Sequence, residues 1–170
     1  FMHNVGGMSN LQIGWLASMA SLMTMLLMTP AGWLSDKKGE RVGIVAGFAL
    51  VVVGLALFVN SRAFAGFAAV WIMFGVAEAL ISPAYNSLIS KAVPAKLRGT
   101  AFGLFSTSVG FFSLPAPYIG AQLWERFGPQ VPFYFPMVAC LLLLPIMWFK
   151  FKLPSGSSAL VEANGAPSVP

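Results

Sequence analysis

The sequence predicts an all-α polytopic membrane protein, a bundle of five membrane-spanning helices, on three observations. Of its 170 residues, 58% are hydrophobic and 9% are charged, with 15 Phe, whereas soluble domains carry charge on about a quarter of their residues. Apart from Glu78, every Asp, Glu, Lys and Arg before the tail lies in or beside a short connection between long uncharged stretches. Within those stretches there is no apolar–polar alternation of the strand type. A backbone crossing lipid must satisfy its own hydrogen bonds, which leaves helices or a closed barrel, and the pattern favours helices.

Residues 1–10, with Asn4, Gly6 and Gly7, form an exterior lead-in loop to a transmembrane domain over 11–152. The spans run over about 11–34, 42–61, 63–90, 99–124 and 127–149, each long enough at 1.5 Å per residue to cross a hydrocarbon core of roughly 30 Å. Only the third holds a charge, Glu78. Residues 153–170, rich in Pro, Ser, Gly, Ala and Asn, are expected to form a disordered cytoplasmic tail, because they carry too little bulk to bury.

The connections set the orientation. Lys and Arg number 3, 1, 3, 1 and 2 along the chain: Lys37, Lys38 and Arg41, then Arg62, then Lys91, Lys96 and Arg98, then Arg126, then Lys150 and Lys152. The positive-inside bias places the N-terminus outside and the C-terminus in the cytoplasm of a plasma membrane. No Lys or Arg precedes Lys37, so the first span lacks the basic lead of a signal peptide. Phe1 is no initiator Met, and the chain is expected to be cut from something longer.

Several site classes are excluded. Cys140 is the single cysteine and His3 the single histidine, so a metal cage or a Ser/His or Cys/His pair has almost nothing to draw on, and neither enzyme activity nor a cofactor is expected. The net charge of +5 is scattered between apolar runs and makes no face for nucleic acid. A phosphate-binding Gly-rich loop with Lys and Ser/Thr is absent, so any transport must run on ion or substrate gradients.

The first inside connection reads Gly32-Trp33-Leu34-Ser35-Asp36-Lys37-Lys38-Gly39-Glu40-Arg41. Gly32 permits close helix approach, Gly39 can turn with positive φ, and the basic residues hold the segment in the cytoplasm. Asp36 gains nothing for orientation. It is either a solvated turn acid or a group with a fixed partner, a basic side chain or a helix N-terminus.

In the third span, Gly75, Ser82 and Tyr85 stand at i−3, i+4 and i+7 from Glu78, with Asn86 beside them, a polar stripe on an apolar helix. An acid at mid-membrane costs about 2.5 kcal/mol or more, so Glu78 should face protein or water. The stripe lines a cavity, or Glu78 is a protonated hydrogen-bonding contact between helices. Gly43, Gly47 and Gly54 in the second span, and Gly99, Gly103, Ser106 and Gly110 in the fourth, read as close-packing faces, with Pro115 and Pro117 allowing a bend. Gly14, Ser18, Ser21 and Met25 share a face of the first span. Methionine there suits either a broad-specificity cavity or lipid.

Together these residues resemble the major facilitator superfamily of secondary transporters. Gly32, Asp36, Lys37, Gly39 and Arg41 match its signature loop, Glu40 standing where a basic residue is usual. Pro94 to Gly103, with Arg98, is similar to the inside loop two spans later, and Gly128 to Phe135 to the lead-in of a half's last helix. The resemblance covers about Gly6 to Leu153. It implies alternating access by a small-molecule transporter built from two six-helix halves, with the signature-loop residues gating the conformational change and Asp36 contacting a helix end of the other half. The stretch Val70-Trp71-Ile72-Met73-Phe74 lacks the Arg usual in a first half, so the chain is expected to be most of the C-terminal half, missing its partner N-terminal half. A natural five-helix half that assembles with a second chain is the alternative. The expected activity is proton-coupled efflux of an amphipathic or drug-like compound, by antiport with a proton or other coupling ion. Metabolite uptake, or a non-transporting scaffold or receptor, are the rivals.

Overall fold

The computed structural model describes residues 1–150; the expected cytoplasmic tail and Lys152 lie outside the described residues. Among these there are helices and no strands. They are α1 (Asn10–Lys38), α2 (Glu40–Asn60), α3 (Phe64–Ala92), α4 (Arg98–Ser113), α5 (Ala116–Phe127) and α6 (Val131–Lys150), with a single 3₁₀ turn at Ala95–Leu97 between α3 and α4. Four helices, α1, α2, α3 and α6 as far as Phe149, are long and apolar enough to cross a membrane.

Local chemistry explains most of the boundaries. Ser9 caps α1: its hydroxyl accepts the Gln12 amide hydrogen at 3.2 Å while the Gln12 side chain accepts from the Ser9 N–H at 2.9 Å. The connection after α1 is shorter than the signature segment suggests, since α1 continues through Lys38 and one residue, Gly39 with φ +86°, makes the turn. α3 ends where Pro94 forces Val93 into an extended conformation. Gly128, at φ +98°, separates α5 from α6.

The fourth apolar stretch, read from the sequence as one span over 99–124, is two helices. Pro115 and Pro117 lack the N–H groups that would reach the carbonyls of Phe111 and Ser113, so the ladder breaks at Leu114-Pro115. Both residues nonetheless keep right-handed helical dihedrals. The break is therefore a bend in a helical path rather than a loop.

α3 lies between α1 and α2, and α6 packs on α2. Close approach of α2 and α3 depends on absent side chains: a Cβ on Gly43 would stand 3.1 Å from the Leu80 carbonyl oxygen, one on Gly47 3.0 Å from that of Ala77, and one on Gly54 2.6 Å from the Phe74 ring. The α2 glycines thus face α3 as their spacing suggested. The α4 glycines do not behave so, for among the described residues nothing would lie within 4 Å of a Cβ at Gly99, Gly103 or Gly110.

The two ends of the bundle are held by different chemistry. At one end Phe1 from the lead-in packs among Phe58, Phe67, Trp124 and Phe133, with centroids 5.2 to 6.4 Å away, joining α2, α3, α5 and α6. Met8 and Leu16 are buried beside this cluster, and the Trp71 indole N–H donates to Met2 Sδ at 3.2 Å. At the other end the clasp is ionic, described below. Between them, much of α1, α4 and α6 presents large apolar side chains outward, Leu11, Met25, Phe112 and Phe149 each more than 70% exposed.

Candidate functional site

Glu78 sits halfway along α3, and its side chain is exposed. α1 covers the neighbouring Gly75, where a Cβ would collide with the Ala20 carbonyl. The Thr24 hydroxyl crosses from α1 to donate to the Gly75 carbonyl at 3.0 Å, while also lying 3.1 Å from that of Ala20. The polar stripe therefore runs along the margin of the α1–α3 contact. Ser82 and Tyr85 are half-buried and Asn86 is exposed.

None of the four side chains Glu78, Ser82, Tyr85 and Asn86 makes a hydrogen bond among the described residues. The contrast with polar residues elsewhere in the helices is direct. Ser18 donates to Gly14, Asn60 to Ala56 and Ser113 to Val109, each satisfying itself on its own helix at 2.7 to 3.0 Å. Ser82, which could do the same to the Glu78 carbonyl, does not. A carboxylate, two hydroxyls and an amide thus stand without hydrogen bonds among the described residues, on a helix long enough to cross a bilayer. Tyr85 has one aromatic neighbour, Phe105 of α4, with centroids 5.9 Å apart and planes tilted by 41°.

The residues expected to form a gating loop do not converge. Gly32 faces α3, a Cβ there lying 3.9 Å from Pro83 Cβ, an ordinary contact. Lys37 folds back over the Trp33 ring, its Nζ 4.0 Å from the centroid. Arg41 reaches α6 and lies 4.7 Å over Trp148, and its buried Nε–H has no acceptor among the described residues. Arg98 turns back to donate to the Val93 carbonyl at 3.3 Å. Asp36 is exposed on the last turns of α1 and pairs with nothing among the described residues.

The group that does join helices at this end is one the sequence reading set aside as a departure. Glu40, the first residue of α2 and 1% exposed, is ion-paired with Lys91 of the last turn of α3 and accepts a hydrogen bond from Ser87 at 2.7 Å. The available signal was the reversal itself: an acid in a basic position calls for a cation opposite, and Lys91 ends the helix that packs on α2.

Comparison with known proteins agrees with this architecture. The chain is 28% identical over 146 residues to an MFS-type transporter of Methanocaldococcus jannaschii, covering 86% of this chain and 38% of that one. It is 27% identical over 117 residues to the riboflavin transporter RibZ of Clostridioides difficile, 69% of this chain and 26% of the relative. It is 25% identical over 129 residues to the quinolone resistance protein NorA of Staphylococcus aureus, 76% and 33% respectively. The chain thus spans between about a quarter and two-fifths of the length of these relatives. The sequence model of the Major Facilitator Superfamily matches residues 2–169, almost end to end. With its all-helical, multi-pass architecture, the chain belongs to the Major Facilitator Superfamily of membrane transporters.

Proposed function

We propose that this chain supplies five membrane crossings, the fourth made by α4 and α5 together, to the C-terminal half of a two-half secondary transporter, and that the complete transporter exports an amphipathic compound in exchange for protons across the plasma membrane. The observation that carries this reading is the partnerless polar stripe of α3. An acid at mid-membrane persists only where it meets water, ligand or a counter-group, and Glu78 is exposed with no counter-group among the described residues. In alternating access the binding groups lie near the bilayer midplane and face the opposite half, which rocks about them. Glu78 then carries the exchangeable proton, and Ser82, Tyr85 and Asn86 offer hydrogen bonds to substrate or to that carboxyl. The exposed Asp36, at the end of α1, is free to meet a helix end of the N-terminal half, and Lys37, Lys38, Lys96 and Arg98 hold this end, with the C-terminus, in the cytoplasm.

Likeness to a quinolone resistance protein supports export of a drug-like compound. Likeness at similar identity to a riboflavin transporter supports a second reading, carriage of a metabolite by the same stripe.

The test is Glu78→Gln in the complete two-half transporter, reconstituted in vesicles of known orientation with an imposed pH gradient. Gln keeps shape and hydrogen bonding but removes ionisation, so gradient-driven accumulation should vanish while substrate exchange at equal pH continues. Normal accumulation by the Gln variant would remove Glu78 from coupling. The side on which substrate accumulates decides between export and uptake.

A further inference from the structure

Tyr85 and Phe105 form a tilted ring pair that links the polar stripe of α3 to α4, with centroids at an ordinary aromatic contact distance of 5.9 Å. Tyr85 belongs to the polar stripe and is half-buried, and its hydroxyl makes no hydrogen bond among the described residues. Phe105 is 43% exposed and projects from α4, a helix with no buried residue. α4 is bounded by the 3₁₀ turn at Ala95–Leu97 and by the Leu114-Pro115 break, so its backbone is interrupted at both ends. The tilted ring pair is the one aromatic contact between α3 and α4 among the described residues.

From this geometry, and resting on the transporter reading above, we infer that Tyr85 and Phe105 form a stacking subsite for a planar aromatic ring of the transported compound, held about two helical turns from Glu78. Stacked carbon surfaces sit about 3.5–4.0 Å apart, so a ring inserted between two others needs centroids roughly 7–8 Å apart. The observed 5.9 Å falls short by about 1–2 Å. That is a small displacement for a helix interrupted at both ends and holding no buried side chain. Seven residues at 1.5 Å place Tyr85 about 10 Å along the axis from Glu78, on nearly the same face. Ser82 lies between them. The site therefore suits a flat ring system bearing a protonatable or hydrogen-bonding group about one fused-ring length away. It discriminates against flexible aliphatic compounds of the same charge, because they gain the Glu78 contact without the stacking.

Binding by the purified two-half transporter tests this with two amines, proflavine, which is flat and fused, and radiolabelled tributylamine, which has no ring. Base–aromatic stacking in other proteins sets the scale: Tyr85→Leu and Phe105→Leu should each weaken proflavine binding roughly 5- to 100-fold, while in Phe105→Leu, which leaves the hydrogen-bonding groups of the stripe in place, tributylamine binding changes by less than about twofold. Tyr85→Phe, which keeps the ring, should hold proflavine within about threefold. Equal weakening of both amines marks the pair as structural packing and overturns the proposal. So does unchanged proflavine binding in the Leu variants, a loss in Tyr85→Phe as large as in Tyr85→Leu, or failure of the unsubstituted protein to bind proflavine saturably. The Glu78→Gln variant separates the two claims: ring selectivity that survives alongside normal gradient-driven transport keeps the subsite and removes the coupling, and selectivity lost while coupling depends on Glu78 does the reverse.

Discussion

Glu40 shows how much one residue's meaning depends on its neighbour in space. As a sequence letter it is a wrong-signed member of a basic segment; in the fold it is a nearly inaccessible carboxylate between Ser87 and Lys91. The half-exposed Lys91 retains part of its hydration, so the pair itself contributes modestly. Removing the cation is costlier, because it strands a buried charge. Lys91→Met should therefore destabilise the protein by about 1–3 kcal/mol, read as a lower midpoint in thermal unfolding of detergent-purified protein. The exchanged pair Glu40→Lys with Lys91→Glu should recover at least half of that loss, since Ser87 can accept as well as donate. If the double variant is no better than the worse single, the two residues do not act through each other. The pairing was illegible in the sequence because it joins positions 51 apart, and only the register of α2 on α3 brings them together.

At the scale of elements, uncharged stretches located the helices because lipid imposes one demand, continuous apolar surface on a self-satisfied backbone. Ends were less legible. α1 reaches Lys38, beyond the expected 34, because Lys37 lies back along the Trp33 ring and needs no loop to find water. The division of the fourth stretch was half legible: Pro115 and Pro117 announce a bend, but whether the ladder breaks depends on how the two flanking pieces are held. Here α5 is held by Trp124 against Phe1, whereas α4 buries nothing. Replacing both prolines by Ala restores donors to the carbonyls of Phe111 and Ser113. Spin labels at Leu104 and Leu123 should then move apart toward the roughly 28 Å of nineteen residues in a straight helix. An unchanged distance would show that the aromatic anchor, rather than the prolines, sets the bend.

For the whole molecule, the contacts sort the connections into two ends without reference to charge. Phe1 gathers the end of α2, the start of α3, the end of α5 and the start of α6; Glu40 and Arg41 gather the start of α2, the end of α3 and the end of α6. The first end carries the single cations Arg62 and Arg126, and the second carries the groups of three, Lys37, Lys38 and Arg41 and then Lys91, Lys96 and Arg98. Charge counts and packing thus divide the chain identically, and the orientation proposed above would place the second end in the cytoplasm. Single cysteines at Asn4, Arg62, Arg126, Lys38 and Lys96, in a Cys140→Ala background, turn this into a measurement with a membrane-impermeant thiol reagent. In intact cells the first three should label and the last two should label only after permeabilisation. The packing requires the members of each group to behave alike, so a reversal of both groups would invert the orientation and leave the fold intact, whereas labelling that splits Arg62 from Arg126, or Lys38 from Lys96, would contradict the arrangement of helices itself.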